Sequence, residues 1–354
     1  MKTSKTIFLL LMVFVFLFFT GAACVKVEGE ARRGIFKSVE RADRWFQKTS
    51  LLSLKAGENI GSVNATVLEF DPLDSGTLYL GTKEHGLFLS INAGDSWQKI
   101  ERLPQGKIKA ILPHPKNSAE VYVAVDQKIF RSGNCCRTWE NLYLETKEKV
   151  EVTALAIDPF FNQIIYAGLS DGRLIKSENR GYGWNLVNEF KAEVKQILVN
   201  PQNPSILYVV ISNGFFKSED KGKTWLSLGE FLKDYSGATQ ISKALFVPQY
   251  SNSLILGSSY GLLLSSDGGR TWSAYKLLSA PGKAPIESLV LDPYNPNVIY
   301  YTALTTLYKT IDGGNNWITR SLPSKEKVVD LKIDPVNPNI LYLIYQKKPK
   351  TYGF

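Results

Sequence analysis

The 354-residue chain has very little histidine, cysteine or methionine, with two His, three Cys and two Met. So few imidazoles and thiols exclude a metal site built from His and Cys ligands. The sequence also has no Cys-x-x-Cys pair and no phosphate-binding glycine loop, so we expect neither a metal nor a cofactor. Hydrophobic residues make up 44% of the chain and charged residues 21%. That composition supplies a packed core and excludes a disordered chain.

The N-terminal residues are typical of an export signal. Lys2 and Lys5 precede an apolar run, Ile7 to Phe19. The run is shorter than the roughly 20 apolar residues of a membrane-spanning helix. We therefore predict a signal peptide over residues 1–23 and a linker over residues 24–33.

The end of this segment, Ala22-Ala23-Cys24, resembles the end of a bacterial lipobox, with Gly21 where Leu is usual. It makes Cys24 a lipidation candidate, while plain cleavage and an uncleaved N-terminal helix that anchors the chain in a membrane stay open. In each case we expect the rest of the chain to be extracytoplasmic. Loss of residues 1–23, which hold two Lys and no acid, lowers the formal charge from +9 to +7.

The seven tryptophans mark an internal repeat. Each ends an eight-residue stretch that starts with Ser or Thr and has Asp, Asn or Glu in third place, as in Ser218–Trp225. The third and last residues of the seven stretches are Glu40 and Trp45, Asn92 and Trp97, Asn134 and Trp139, Asn179 and Trp184, Asp220 and Trp225, Asp267 and Trp272, and Asp312 and Trp317.

Two short apolar runs accompany each tryptophan stretch. The first run ends at a marker proline, and a second run follows several residues later. The marker prolines are Pro72, Pro115, Pro159, Pro201, Pro248, Pro293 and Pro335. Runs rich in β-branched and aromatic residues, bounded by Gly, Pro, Asn and Asp, predict strands. A third strand leads into each tryptophan stretch, as at Gly214–Lys217, and a fourth follows it. Four strands in a unit of about 43 residues indicate a propeller blade.

The two ends of the array are halves of one unit. One strand, Gly34–Lys37, precedes the first tryptophan stretch, and no such stretch follows the last pair of runs, Val328–Tyr345. If the halves pair, the chain closes into a ring without open sheet edges. We predict an all-β fold, a monomeric seven-bladed β-propeller of four-stranded antiparallel blades over residues 34–346. A basic tail follows at residues 347–354.

The tryptophan stretches resemble the Asp-box, or BNR repeat, of sialidases, sortilins, xyloglucanases and the photosystem II stability/assembly factor family. The resemblance covers roughly residues 34–346 and implies that each box is a hairpin between the third and fourth strands of a blade. In such a turn an Asp or Asn side chain accepts backbone N–H bonds and Gly supplies a positive φ. It further implies that the Trp fills the gap between blades and that the boxes are structural. The array is most similar to the assembly-factor branch.

Binding residues are then expected on the opposite face, made by the loops between blades and by those joining second to third strands. Positions six residues before each marker proline should surround its mouth: Thr66, Lys109, Thr153, Lys195, Ser242, Glu287 and Val329. The candidate binding residues are Lys83, His85, Lys109, Asp126, Asp171, Arg173, Lys195, Tyr260 and Glu287. This mildly basic face favours a protein or an anionic polysaccharide as partner, unless its charges are scattered and only solubilise the chain.

A membrane is a further expected partner, through a lipid anchor or the N-terminal helix, whereas export argues against nucleic acid. The predicted function is a non-catalytic binding or assembly scaffold. The alternative is a glycoside hydrolase, for which Glu84, Asp126, Asp171 and Glu287 could supply the two facing carboxylates. No spacing singles out a pair. A resemblance to sialidases implies an N-terminal Arg-Ile-Pro motif, which this sequence lacks. Xyloglucanases place their acids between two propellers, whereas this chain is predicted to form one.

Cys135 and Cys136 are the one unusual pair within the boxes, where they replace two turn glycines. Adjacent cysteines in an oxidising compartment can close a strained vicinal disulfide. A vicinal disulfide and two free thiols are the alternatives for this pair.

Overall fold

Short runs of β-branched and aromatic residues give this chain strands of two to nine residues. The computed structural model describes residues 32–52 and 59–349. The predicted signal peptide, the lipidation candidate Cys24 and the end of the basic tail lie outside the described residues. Within these two ranges the helical structure is one 3₁₀ turn, Gly229–Leu232, and no helix there is long and apolar enough to span a bilayer.

The strands form seven antiparallel sheets of four, and each sheet is one blade of a ring. Six blades use consecutive strands, ordered from the inner strand outwards. They are blade 1, β3 (Ala65–Asp71), β4 (Asp74–Thr82), β5 (Leu87–Ser90) and β6 (Gln98–Lys99); blade 2, β7 (Ile108–Pro113), β8 (Val121–Val125), β9 (Lys128–Ser132) and β10 (Glu140–Leu144); blade 3, β11 (Val152–Ile157), β12 (Ile165–Leu169), β13 (Arg173–Ser177) and β14 (Asn185–Glu189); blade 4, β15 (Val194–Val199), β16 (Leu207–Ile211), β17 (Gly214–Ser218) and β18 (Leu226–Ser227); blade 5, β19 (Ile241–Val247), β20 (Tyr250–Ser258), β21 (Leu262–Ser265) and β22 (Ser273–Ala274); and blade 6, β23 (Ser288–Leu291), β24 (Ile299–Ala303), β25 (Thr306–Thr310) and β26 (Ile318–Ser321).

Blade 7 joins the two ends of the chain. Its inner strands are β27 (Lys327–Ile333) and β28 (Leu341–Gln346), and its outer strands are β1 (Gly34–Ser38) and β2 (Phe46–Lys48). β1 and β28 pair over five residues, from Gly34 opposite Tyr345 to Ser38 opposite Leu341. The predicted seven-bladed ring and its closure by two half blades are confirmed. The whole ring belongs to one compact unit.

The core is divided among the seven interfaces between neighbouring blades. Each interface holds one cluster of buried apolar side chains, and each cluster includes or contacts one box tryptophan. Trp97, between blades 7 and 1, is fully buried. The other six tryptophans are partly buried at the edges of their clusters. Every blade therefore depends on both neighbours for its burial.

Each box turn is held by its first and third side chains. In blade 4, Ser218 Oγ accepts a hydrogen bond from Gly222 N at 2.8 Å, and Asp220 Oδ1 accepts one from Thr224 N at 2.9 Å. Hydrogen bonds from the Thr224 side chain and backbone lower the pKa of Asp220 to about 2. Trp225 Nε1 donates to Gly222 O at 3.0 Å. The carboxylate is thus committed to its own turn.

The antiparallel strands give the ring two distinct faces. The box face carries the Asp-box turns and the loops that join first to second strands. The other face, called the loop face below, carries the starts of the inner strands and the turns between second and third strands. The chain also enters the ring at this face, near Arg33, and leaves it there, near Lys347. The sequence-predicted binding residues all belong to elements of the loop face.

Candidate functional site

The predicted mouth positions coincide with β-bulges at the starts of the inner strands. Strand pairing skips one residue in six blades, at Thr66, Lys109, Thr153, Lys195, Ser242 and Val329. In blade 6 the equivalent residue, Glu287, immediately precedes β23, and its amide donates to Thr302 O at 2.8 Å. A β-bulge turns the side chain of the extra residue away from the regular alternation of side chains between the two faces of the strand.

A cavity of about 850 Å³ opens at the loop face beside blades 7, 1 and 2. Its charged lining residues are six cations and one acid: Arg33, Lys83, Lys107, Lys109, Lys347, Lys348 and Glu84. This space is called the mouth cavity below. Asn64 lies within it, and its Oδ1 accepts hydrogen bonds from Arg33 Nη1 at 3.2 Å and Lys347 N at 2.8 Å. The mouth cavity therefore suits an anionic group.

Two polar atoms at the mouth cavity lack a partner. Arg33 Nε and Thr66 Oγ1 are both buried and make no hydrogen bond to any described residue. Glu84, the single acid, is engaged by Lys83 at 3.6 Å and by the Asn64 amide at 3.1 Å. The lining of the mouth cavity therefore has polar groups whose hydrogen-bonding capacity is not used within the described residues.

The central channel continues from the mouth cavity and shares Thr66 and Lys109 with it. Inside the channel, Lys243 Nζ contacts both Asp330 oxygens at 3.1 Å, and Lys332 Nζ contacts Glu69 at 2.8 Å. These contacts cross from blade 5 to blade 7 and from blade 7 to blade 1. They bind the inner strands of three blades to one another.

Buried Asp330 remains ionised within this network. Burial favours its neutral form, but the charges of Lys243 and Lys332 and a hydrogen bond from Ser288 Oγ lower the pKa of Asp330 below its usual value. Removing any one partner would leave a charge uncompensated in the channel.

The structure does not bring all the sequence-predicted binding residues together. Lys83 and Lys109 lie in the mouth cavity, and Lys195 lines the channel. His85 is exposed on the turn of blade 1, and Asp126 Oδ1 accepts a hydrogen bond from Lys107 N at 3.1 Å.

The other predicted residues lie away from the mouth cavity. Tyr260, on blade 5, packs edge-on against Tyr235 with ring centroids 5.1 Å apart.

Asp171 and Arg173 belong to a separate ion-pair group on blades 2 and 3. Arg173 contacts Asp171 at 2.9 Å and Glu145 at 2.7 Å, and Lys147 contacts Asp171 at 3.1 Å. Partial burial acts against ionisation, but hydrogen bonds from Lys147 and Arg173 hold the pKa of Asp171 below its usual value. These residues satisfy one another rather than facing a ligand.

Glu287 differs from Asp171 because its pKa is raised rather than lowered. Burial raises its pKa above the usual value, opposed only by the more distant charges of Lys348 and Lys327. Its Oε2 and the hydroxyl of Tyr345 are both buried, and neither atom has a hydrogen-bond partner among the described residues. Burial raises the pKa of Tyr345, and the charge of Glu287 raises it further.

The four acids considered for hydrolysis belong to four blades: Glu84 to blade 1, Asp126 to blade 2, Asp171 to blade 3 and Glu287 to blade 6. Glu287 lies on blade 6 and Asp171 on blade 3, so the ring separates them, whereas hydrolysis requires carboxylates about 5–10 Å apart. Among the described residues no group of three or more His, Cys, Asp or Glu could hold a metal ion.

Cys135 and Cys136 are free thiols in the structure. Both have positive φ, 56° and 64°, as the box turn requires. Cys135 is exposed, while Cys136 is buried against the interface of blades 1 and 2, which raises the pKa of its thiol to about 12. The vicinal disulfide remains a prediction for the oxidised protein.

Three residues of the mouth cavity were not among the sequence-predicted binding residues: Arg33, Lys347 and Lys348. Arg33 fell in the predicted linker and the two lysines in the predicted tail, although ring closure places the residues that flank β1 and β28 at this cavity. Aligning the half blades would have found them, because the residues flanking β1 and β28 occupy the same turn as Lys83 in blade 1.

No protein-family model matches the chain. A xyloglucanase of Hypocrea jecorina is 29% identical over 65% of this chain and 28% of its own length, and xyloglucanase Xgh74A of Acetivibrio thermocellus is 25% identical over 56% and 29%. The chain thus spans less than a third of the curated relatives it matches. The Asp-box assignment rests on the motif and its turn geometry.

Two kinds of solved structure share the fold. The GH74 xyloglucanase of Xanthomonas campestris matches 81% of this chain and 51% of its own, with a TM-score of 0.64 and 18% identity. YCF48 of Cyanidioschyzon merolae matches 80% of this chain and 96% of its own, with a TM-score of 0.63 and 12% identity. A structure of YCF48 bound to D1 peptide matches with a TM-score of 0.60 and 13% identity. At these identities the likeness shows the propeller fold.

Proposed function

We propose that the protein is an extracytoplasmic, non-catalytic scaffold whose mouth cavity binds an acidic segment of a protein partner. The observation that carries the proposal is the lining of the mouth cavity, which holds six cations and one acid, although Lys107 and Lys109 also pair with Glu151 behind it. The single-propeller YCF48 structures support it, because one of them is bound to a peptide and this chain matches nearly their whole length.

Two features of the mouth cavity favour a charged peptide over a neutral polymer. The cations project from separate blades, so an extended acidic segment can meet several of them at once. The half-buried guanidinium of Arg33 lines the cavity, and burial strengthens a charge-assisted hydrogen bond to a carboxylate.

Fluorescence anisotropy of labelled octaglutamate, with octaglutamine as the neutral probe, tests this proposal. We expect the ring to bind octaglutamate in a salt-dependent way. The double variant Lys83→Ala/Lys109→Gln should weaken binding by at least about tenfold, since a charge-assisted hydrogen bond contributes about 1.5–3 kcal/mol. Lys109 also pairs with Glu151 at 3.2 Å and with Glu193 at 3.6 Å, and Lys107 remains to pair with Glu151 at 3.2 Å after the change.

The matched control is Lys191→Ala/Lys233→Ala, which removes two exposed cations from the loop face beyond the mouth cavity. It should bind octaglutamate like the parent. Equal binding of octaglutamate and octaglutamine, or equal losses in the two double variants, would contradict the proposal.

A glycoside hydrolase is the second candidate, favoured by the xyloglucanase relatives and by Glu287 with its raised pKa. A carboxyl group with a raised pKa keeps its proton to higher pH, as a general acid requires. Release of reducing ends from xyloglucan, abolished by Glu287→Gln, would support this function and displace the scaffold. Absence of turnover under conditions where octaglutamate binds would favour the scaffold.

A further inference from the structure

Blade 7 carries a group of unpaired cations at its loop-face edge. They are all exposed and are called the seam cations below: Arg32, Lys325, Lys327, Lys347 and Lys348. None of their side chains lies within ion-pair distance of a carboxylate among residues 32–52 and 59–349. Some loop-face cations of other blades are paired, such as Lys107 with Glu151 and Lys147 with Asp171.

The seam cations are held together by the folded backbone. Ser324 Oγ donates to Arg32 O at 2.6 Å, which joins the start of the ring to the loop that carries Lys325. On the other side, Lys348 N donates to Glu326 Oε2 at 2.8 Å. Five like charges are thus kept on one edge, although mutual repulsion favours their separation.

The ring begins at its loop face, at the edge that carries the seam cations. Residue 32 enters the ring at the loop face, and only residues 20–31 separate it from the apolar run that ends at Phe19. Even fully extended, this length reaches at most about 45 Å. A predicted anchor at the apolar run, or a lipid at Cys24, would thus join the ring at its loop face, through a tether of at most this length.

We propose that the protein docks its loop face on an anionic lipid surface through the seam cations, with the box face turned away. Each Lys or Arg near such a surface strengthens binding about fivefold, so five cations form an effective docking patch. The inference rests on the proposed extracytoplasmic scaffold and deepens it, because it places the mouth cavity at the membrane, where it meets membrane-adjacent partners.

Vesicle co-sedimentation of the ring without residues 1–30 tests the docking, since this unit contains every blade and no anchor. We expect binding to phosphatidylcholine vesicles that contain phosphatidylglycerol, little binding to pure phosphatidylcholine, and release by salt. The variant Lys325→Gln/Lys327→Gln/Lys347→Gln/Lys348→Gln should lose more than about a hundredfold in affinity.

The control removes the same charge from exposed positions of the box face: Lys116→Gln/Arg137→Gln/Lys223→Gln/Arg270→Gln. It should retain most of the vesicle binding. A bimane on native Cys135, on the box face, should escape quenching by brominated lipids, whereas one on His85→Cys in a Cys135→Ser ring should be quenched.

Equal losses in the two quadruple variants, or quenching of the Cys135 probe alone, would overturn the docking. The peptide and vesicle assays also separate the two proposals. Octaglutamate binding without vesicle binding leaves the scaffold standing and refutes the docking. Vesicle binding without octaglutamate binding supports the docking and refutes the acidic-segment scaffold.

Discussion

Replacing Trp97 by alanine should destabilise the ring more than the same change at any other box tryptophan. Trp97 is the one box tryptophan with no exposed surface. Its Nε1 donates to Gly94 O at 3.1 Å, and its own backbone bonds to the segment that covers it, through Ser50 O at 3.0 Å and Leu52 N at 2.7 Å.

The magnitude follows from this burial. A buried tryptophan removes about 200 Å² from water, which at about 25 cal/mol per Å² is about 5 kcal/mol, an upper value for the lost transfer free energy. Measured truncations of buried aromatic residues cost about 3–5 kcal/mol. We expect Trp97→Ala to lower the free energy of unfolding by about 4 kcal/mol and the melting temperature by roughly 8 °C.

Trp184→Ala is the matched control, because Trp184 is partly exposed and its Nε1 has no hydrogen-bond partner among the described residues. It should cost about 2 kcal/mol, since less apolar area returns to water. Urea unfolding followed by far-UV circular dichroism measures both variants. We propose that the segment over Trp97 makes the interface of blades 7 and 1 depend more on its tryptophan than the other interfaces do. Equal losses of unfolding free energy in Trp97→Ala and Trp184→Ala would refute this.

Three further predictions concern charges and thiols. Glu287→Gln should stabilise the ring by about 1 kcal/mol at neutral pH, because it neutralises a half-buried carboxylate whose Oε2 has no partner among the described residues. Since the pKa of Glu287 is raised in the folded state, this cost of the parent disappears as pH falls, and the melting temperatures of parent and variant should converge near about pH 4. Divergence at acid pH would contradict the sign. Asp330→Asn should cost about 3 kcal/mol in urea unfolding by leaving Lys243 uncompensated, and adding Lys243→Met should restore part of the loss; additive losses would contradict this pairing. Oxidised protein should show the Cys135–Cys136 peptide lighter by two hydrogen atoms in non-reducing mass spectrometry, whereas full alkylation without reductant would contradict the vicinal disulfide.

The fold was accessible from the sequence because its determinants are local and repeated. The serine, the acid and the tryptophan of each box lie within eight residues, and a marker proline ends each inner run. Ring closure was also predictable, because the first box is preceded by one strand and the two missing strands of its blade follow the last box. Trp45 and Glu40, in the most altered box, still occupy a turn whose Ser38 Oγ accepts from Ala42 N at 3.1 Å.

The mouth cavity was only partly accessible because ring closure assembles it from distant parts of the chain. Asn64 binds Lys347 across 283 positions, and no local pattern predicts that contact. Spacing from the marker prolines located Thr66 and Lys109, but nothing in the sequence distinguished the unpaired Lys195 from the paired Asp171. Partner choice among charged side chains depends on their three-dimensional neighbours.

The closing seam has a mechanical consequence. β1 and β28 run antiparallel, and the chain enters at Gly34 and leaves beyond Tyr345, which lie opposite each other at the same end of the pairing. A force that pulls the two ends apart therefore acts on one residue pair at a time, from Gly34–Tyr345 to Ser38–Leu341. All seven interfaces contribute to thermal stability. Under tension between the two ends, however, the hydrogen bonds of the β1–β28 pair break one after another, starting at the loop face.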